Sequence, residues 1–190
     1  MTITKNEKKR CAWCEKDDLY RNYHDNEWGK PVYDDETIFE FLVLETFQAG
    51  LSWYTVLAKR ENFRKAFDNF DCKKIAQYSD TKIATLCEDA GIIRNKLKIK
   101  ATVTNAQAFM KVQEEFGSFS KYIWGFVGGK PIDNQPKTLA DVPATTEISD
   151  KLSNDLKKRG FKFVGSTVVY AHMQATGMVN DHVMDCWTRE

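Results

Sequence analysis

No stretch of this sequence is apolar over the 20 or so residues that a membrane-spanning helix needs, and Met1 to Arg10 are polar and basic with no apolar core of the secretory kind. The expectation is a cytoplasmic chain that makes no use of a membrane. Lysine and arginine together exceed aspartate and glutamate by only one, so bulk charge gives no case for a nucleic-acid binder and any such role must rest on local features. Proline is scarce: three of the four fall between Gly128 and Thr146, so little interrupts a helix elsewhere. No internal repeat or low-complexity tract is evident. The five cysteines are odd in number, and in a reducing compartment they read as thiols or metal ligands rather than disulfides.

What is present suffices for a core. Hydrophobic residues make up 42% and charged residues 29% of a 190-residue chain, which places it among globular proteins of one ordinary domain. We expect a flexible tail over residues 1–10, then one domain over residues 11–190 made of two helical lobes. Strand alternation is nearly absent, so the fold class is all-α, with at most short extended stretches near Lys30 to Tyr33.

Asp34 or Asp35 caps a helix from about Glu36 to Phe47, on which Ile38, Phe41, Leu42, Glu45 and Ala49 share one face. Ser52 caps a segment through about Phe67, and Asp71 and Ser79 open two short helices, the second closed by Gly91. A long helix is predicted from about Asn95 to Phe116, and a short one begins at Ser118. Gly128 to Thr146 reads as one long loop, after which Ser149 restarts the helical pattern. Asp150 to Arg159 is then a helix, Gly160 to Gly165 a tight turn, and Ser166 to Thr176 a helix ended by Gly177. That order is helix, hairpin, helix, with the hairpin near residues 159–166.

Two of the three histidines lie close to cysteines: Cys11, Cys14 and His24 near one end, His182 and Cys186 near the other. On a helix the four-residue spacing of His182 and Cys186 puts both on one face, and imidazole with thiolate is a natural pair for tetrahedral zinc. A Cys and a His from each end would complete four ligands and staple the termini. Five candidates compete for four positions, with Cys14 an alternative to Cys11 or a bystander. Ordinary buried thiols and imidazoles would account for the same residues without a metal. A closed set of four ligands is structural, because catalysis needs an open position.

Trp13, Tyr20, Tyr23 and Trp28 crowd the stretch that ends in YHDNEWG. Rings at this density pack a core or build a stacking pocket for a planar heteroaromatic ligand, which Glu45 and Trp53 would complete. A glutamate on an apolar helical stripe is costly unless partnered, so Glu45 reads either as half of a salt bridge or as a ligand group.

Taken together, Cys11 to Trp13, YHDNEWG from Tyr23, LETFQAGLSW from Leu44, EDAGIIRNK from Glu88, KKRGFKFVGST from Lys157 and VNDH from Val179 resemble the 3-methyladenine DNA glycosylase I family, the constitutive bacterial enzyme, over almost the whole chain. That family belongs to the helix-hairpin-helix glycosylase superfamily. The resemblance implies zinc, one ion per chain and structural, on Cys11, His24, His182 and Cys186. It implies base recognition by Glu45, stacking by Tyr23 and Trp53, and pocket walls from Trp13, Tyr20 and Trp28. QAGLSW sits where relatives place a DNA wedge, which makes Gly50 and Leu51 the candidates, and RGFKFVG resembles the DNA-binding hairpin, with Gly160, Lys162, Gly165 and Ser166 at the phosphate. Lys157, Lys158 and Arg159 surround that turn. Thr46 and Phe47 stand where a Gly and a Gln are familiar, and Phe47 adds bulk beside the active helix.

The implied reaction is base excision by a monomer acting on double-stranded DNA that contains alkylated bases. The damaged nucleotide is flipped out, its base bound, and the glycosidic bond hydrolysed to leave an abasic site. N3-alkylated adenine is cationic and departs neutral, so selective binding carries much of the catalysis. No lysine stands out as a Schiff-base nucleophile, so strand cleavage is not expected. Asp181, beside His182, is expected to support the metal site or cap a helix.

Overall fold

A computed structural model describes residues 8–189. Ten helices account for most of that span: α1 (Asp18–Asn26), α2 (Asp35–Gln48), α3 (Trp53–Leu57), α4 (Arg60–Ala66), α5 (Cys72–Ile75), α6 (Asp80–Glu88), α7 (Lys96–Phe116), α8 (Phe119–Gly125), α9 (Glu147–Lys158) and α10 (Ser166–Ala175). Their starts obey local chemistry. The side chains of Asp34, Ser52, Asp71, Ser79, Asn95 and Ser118 each accept a backbone N–H from the first turn that follows, satisfying donors that have no partner within the helix. Gly117, at φ +83°, ends α7 in the left-handed conformation that glycine adopts without strain.

α2 is the central strut. Ile38, Phe39, Phe41, Leu42, Val43, Leu44, Glu45, Thr46 and Phe47 are all buried, so this helix is enclosed on every side rather than on the single stripe expected. α3, α7, α8 and α10 pack around it. The Asp35 carboxylate accepts the N–H groups of Phe119 and Ser120 and the amide of Gln113, pinning the start of α2 to α7 and α8.

The structure departs from the sequence reading at several places. Residues 52–67 are not one helix: the chain breaks at Ala58 and Lys59, where the lysine ammonium reaches the carbonyls of Ala90 and Gly91. Thr146, not Ser149, caps α9, and Ser149 returns the bond to the Thr146 N–H in a capping box. Lys30 to Tyr33 forms no strand; Val32 N–H instead donates to the Thr176 carbonyl at the end of α10. The strand pairing found is parallel, between β1 (Ile132–Asp133), inside the loop, and β2 (Val179–Asn180). The expected tail lies outside the described residues through Glu7, but Lys8 to Arg10 are tied down, with Arg10 on Asp25 and the Lys9 carbonyl accepting from Trp187 N–H.

Candidate active site and metal cluster

A cavity of about 300 Å³ opens between the N-terminal segment, α2 and α3 on one side and α10 on the other. Glu45, 3% exposed, stands on it, and neither its Oε2 nor the indole Nε1 of Trp53 has a hydrogen-bond partner among the described residues. An unsatisfied buried polar atom costs about 1–3 kcal/mol, so two of them at one cavity mark a place kept for the polar edge of a ligand. Burial pushes the Glu45 carboxyl up to about 8, with no cationic side chain near enough to offset it. The group is therefore mainly a neutral acid at pH 7, and a positive charge brought beside it would favour its ionisation.

Rings wall this acid. Trp13, Tyr20, Tyr23, Trp28 and Trp53 all line the cavity with it. Trp13 meets Tyr20 and Trp28 edge-on, at centroid distances of 4.9 and 5.0 Å. Asp17, which caps α1, also accepts the Tyr54 hydroxyl, tying the helix of Tyr23 to the helix of Trp53. Tyr23 and Trp53 do not form the two parallel plates that a sandwich requires. Their centroids lie 5.3 Å apart at 45°, so they touch and form a corner of the cavity.

The far wall was not foreseen. It consists of Thr167, Tyr170 and Gln174 of α10 and the segment from Leu139 to Ala144, with Gln48 at the end of α2. The four-residue spacing of Tyr170 and Gln174 was the available signal, whereas no periodicity marks the loop. Asp181 braces this wall rather than the cysteine and histidine cluster. Buried, it accepts Tyr170 Oη at 2.7 Å, Gln174 Nε2 at 2.8 Å and Asn134 Nδ2 at 2.7 Å. Phe47 points away from the cavity and packs on Phe63 and Phe67 in the core, and the Thr46 hydroxyl donates to the Leu42 carbonyl, so neither residue crowds the pocket.

Beside the pocket, buried Cys11, His24, His182 and Cys186 bring four ligand atoms within 4.8 Å of one another. Cys186 Sγ lies 3.5 Å from His24 Nε2 and 3.6 Å from His182 Nδ1, and Cys11 Sγ lies 3.7 Å from His182 Nδ1. A tetrahedral centre with bonds of about 2.0–2.3 Å has edges of roughly 3.3–3.8 Å, a range these three separations meet, so the group could hold one metal ion. The other ring nitrogens are spent: His24 Nδ1 donates to Asp25 at 2.8 Å and His182 Nε2 to the Trp28 carbonyl at 3.0 Å, which turns a lone pair of each ring into the cluster. Burial opposes the charge on Asp25, but Arg10, His24 and Trp187 outweigh it and hold that carboxyl at about 2. Burial pushes the Cys11 thiol up to about 12 and His182 down to about 4, so without a cation neither is charged at pH 7.

His182 and Cys186 do not lie on a helix. A turn closed by Cys186 N–H on the Val183 carbonyl, at 2.8 Å, brings them together instead. Cys14 is buried but stands outside the group, its thiol donating to the Cys11 carbonyl at 3.1 Å. Trp28 joins the two sites: it lines the cavity and meets His182 edge-on at 4.6 Å.

Two further predicted segments lie elsewhere on the molecule. Gly50, at φ +83°, turns the chain between α2 and α3 and leaves Leu51 42% exposed. Gly160, at φ +96°, opens the turn before α10, where Asn105 clamps Lys162 by accepting its N–H and donating to its carbonyl. The Ser166 and Ser149 hydroxyls lie 2.8 Å apart. Arg159 is not free beside the turn: it is bound to Asp155 and Glu115 and stacked over Phe116 and Tyr122.

These features define a helical protein with a cavity walled by aromatic rings around one buried, unpartnered acid. The chain belongs to the methyladenine glycosylase family, which matches residues 13–190. It is 49% identical to DNA-3-methyladenine glycosylase 1 of Escherichia coli K12, over 94% of this chain and 95% of that one. It is 48% identical to the DNA-3-methyladenine glycosylase of Haemophilus influenzae, over 93% and 96% respectively. Among solved structures, 3-methyladenine DNA glycosylase I of Staphylococcus aureus, determined for the basis of its 3-methyladenine recognition, superposes with a TM-score of 0.92 at 39% identity, covering 95% of this chain and 96% of that one.

Proposed function

We propose that this chain is a DNA-3-methyladenine glycosylase that flips an alkylated nucleotide out of duplex DNA and hydrolyses its glycosidic bond, leaving an abasic site. The observation that carries this reading is Glu45, an unpartnered buried acid among rings with no cation beside it. A purine alkylated at N3 supplies the missing charge together with a flat surface. Its positive ring gains from the aromatic walls, by up to roughly 2 kcal/mol when desolvated, and from an ionised Glu45 that neutral adenine would not draw out. The base departs neutral, so contacts to its charge weaken rather than tighten as the bond breaks; Glu45 selects the charged substrate, and a hydrogen bond to the leaving base keeps it in the pocket.

On this reading Leu51 fills the gap left by the flipped base, and the turn before α10 receives a phosphate of the duplex. The N–H of Lys162 is taken by Asn105, and those of Gly160 and Phe161 by carbonyls of α9, so the donors assigned to the phosphate start beyond Lys162 and run into the first turn of α10. Gly165 has open space where a side chain would stand, which suits close approach of the DNA backbone. α9, this turn and α10 are the helix-hairpin-helix element of the fold. Among the described residues no lysine lines the cavity, which supports hydrolysis by water without a lyase step. Zinc, with two thiolates and two imidazoles, is the ion we assign to the cluster. Four protein ligands leave it structural, so its contribution is to hold the two ends of the domain together. The enzyme acts as a monomer, in the cytoplasm where its DNA lies.

The test is release of bases from methylated duplex DNA by the purified protein. Liberated 3-methyladenine and its loss in a folded Glu45→Gln variant are expected; no release of any base would sink the reading and leave a lesion-binding protein of the same fold.

A further inference from the structure

Lys98 is buried, 6% exposed, and no carboxylate pairs with it among the described residues. A buried cation without an anion is costly unless its protons are accepted elsewhere. Here they are: Nζ donates to the Phe47 carbonyl at 2.8 Å and to the Ala49 carbonyl at 2.6 Å. Those carbonyls lie at the C-terminal end of α2, where the helix dipole is negative and backbone acceptors are left over. One residue on, Gly50 turns in the left-handed conformation; then comes exposed Leu51, whose N–H returns to the Gln48 carbonyl; then Ser52, which caps the helix of Trp53. Among the described residues, Lys98 is the one side chain from outside residues 47–52 that bonds their backbone. It comes from the first turn of α7, itself capped by Asn95, so the anchor stands on a rigid element.

We propose that Lys98 is the positioning residue of the wedge: by binding two carbonyls of the α2 terminus it fixes where the helix stops and hence where Leu51 projects, without taking part in binding the base. This rests on the reading of Leu51 as the wedge and of the chain as a glycosylase. Two features favour it over a plain helix cap. Lys98 is absent from the pocket lining, while the loop it holds joins the helix of Glu45 to the helix of Trp53. A neutral donor would also have sufficed to cap a carbonyl, whereas a charged one binds both carbonyls more strongly.

The role predicts a split between two measurements on the zinc-loaded protein. One is single-turnover release of 3-methyladenine from methylated duplex DNA; the other is the affinity for free 3-methyladenine, read from tryptophan fluorescence. Lys98→Met is expected to slow release at least tenfold while changing free-base affinity less than twofold. Leu51→Ala should show the same split, and the double variant should lose no more than the worse single one, because both act through one loop. If Lys98→Met does not fold, Lys98→Gln, which keeps a donor without the charge, carries the same comparison. Equal losses in release and free-base affinity, full release by the variant, or additive losses in the double variant would each overturn the assignment. Failure of the unaltered protein to release any base would instead strike the functional reading, so the two failures are distinguishable.

Discussion

A guest with a fixed positive charge should bind this pocket more tightly as pH rises, and the size of the effect follows from Glu45. Its carboxyl titrates at about 8, raised by burial. About one molecule in ten is ionised at pH 7 and about one in a hundred at pH 6, since each pH unit below the midpoint costs about 1.4 kcal/mol. A purine methylated at both N3 and N9 keeps its charge across this range and calls for the carboxylate. Its dissociation constant should fall about tenfold between pH 6 and 7, about fivefold between pH 7 and 8 and level off above, a total of about 3 kcal/mol. His172, buried and held down at about 4, titrates below this window and leaves the slope to Glu45. Quenching of the fluorescence of Trp13, Trp28 and Trp53 on binding provides the titration signal. Glu45→Gln should bind weakly with a flat pH profile. Affinity independent of pH in the unaltered protein would refute the claim that a buried neutral acid is ionised by its guest.

The same shift acts on stability with the opposite sense. A carboxyl whose folded-state value is raised stabilises most below its ordinary value near 4.5, and that contribution is lost as pH climbs through about 8; the melting temperature without a base should therefore fall across this window, and Glu45→Gln should flatten the fall. Gly177→Ala should destabilise by at least about 3 kcal/mol, because Gly177 sits at φ +68° and a Cβ there would stand 2.2 Å from the Lys30 carbonyl carbon; an unchanged melting temperature would show that the chain relaxes around it. Metal analysis of the purified protein should find about one zinc per chain, lost in Cys186→Ala with a drop in melting temperature; zinc retained by that variant would exclude Cys186 as a ligand.

Helix starts were legible because they are set by one or two residues. Ser79, Asn95 and Ser118 cap where the sequence placed them, each within three residues of the N–H it accepts. The break at Ala58 and Lys59 was not legible, since it answers to carbonyls of Ala90 and Gly91 some thirty residues away. The spacing of His182 and Cys186 selected the right pair through the wrong local structure: a turn and a helix both return residues four apart to one side. Glu45 could be placed on an apolar stripe but not in an apolar enclosure, because the burial of α2 on every side is contributed by α3, α7, α8 and α10. Adjacency to His182 makes Asp181 a candidate for the metal site, but contact is decided by tertiary packing, and its carboxylate accepts from Tyr170 and Gln174 of α10 instead.

The position of the cluster relative to the pocket explains why a metal is useful in a domain that already has a large core. That core is built around α2, α7 and α8, whereas Tyr23 belongs to a smaller apolar group with Phe41, Leu57 and Ala175, on which Trp13, Tyr20 and Trp28 rest. Rings that must leave a cavity open cannot also bury themselves fully against one another, so the segment presenting them forgoes part of the hydrophobic stabilisation that fixes the other elements. The Cys11, His24, His182 and Cys186 set lies behind Trp13 and Trp28, with His24 edge-on to Trp13 and His182 edge-on to Trp28. An ion bound there would hold the aromatic wall from the rear through coordination bonds, which depend on four atoms rather than on buried area. The pocket can then stay open in front of Glu45 without its wall collapsing inward. An unpartnered buried acid, an empty volume and incompletely buried aromatics are each unfavourable features for folding; a metal brace behind the wall would hold them in place without entering the cavity.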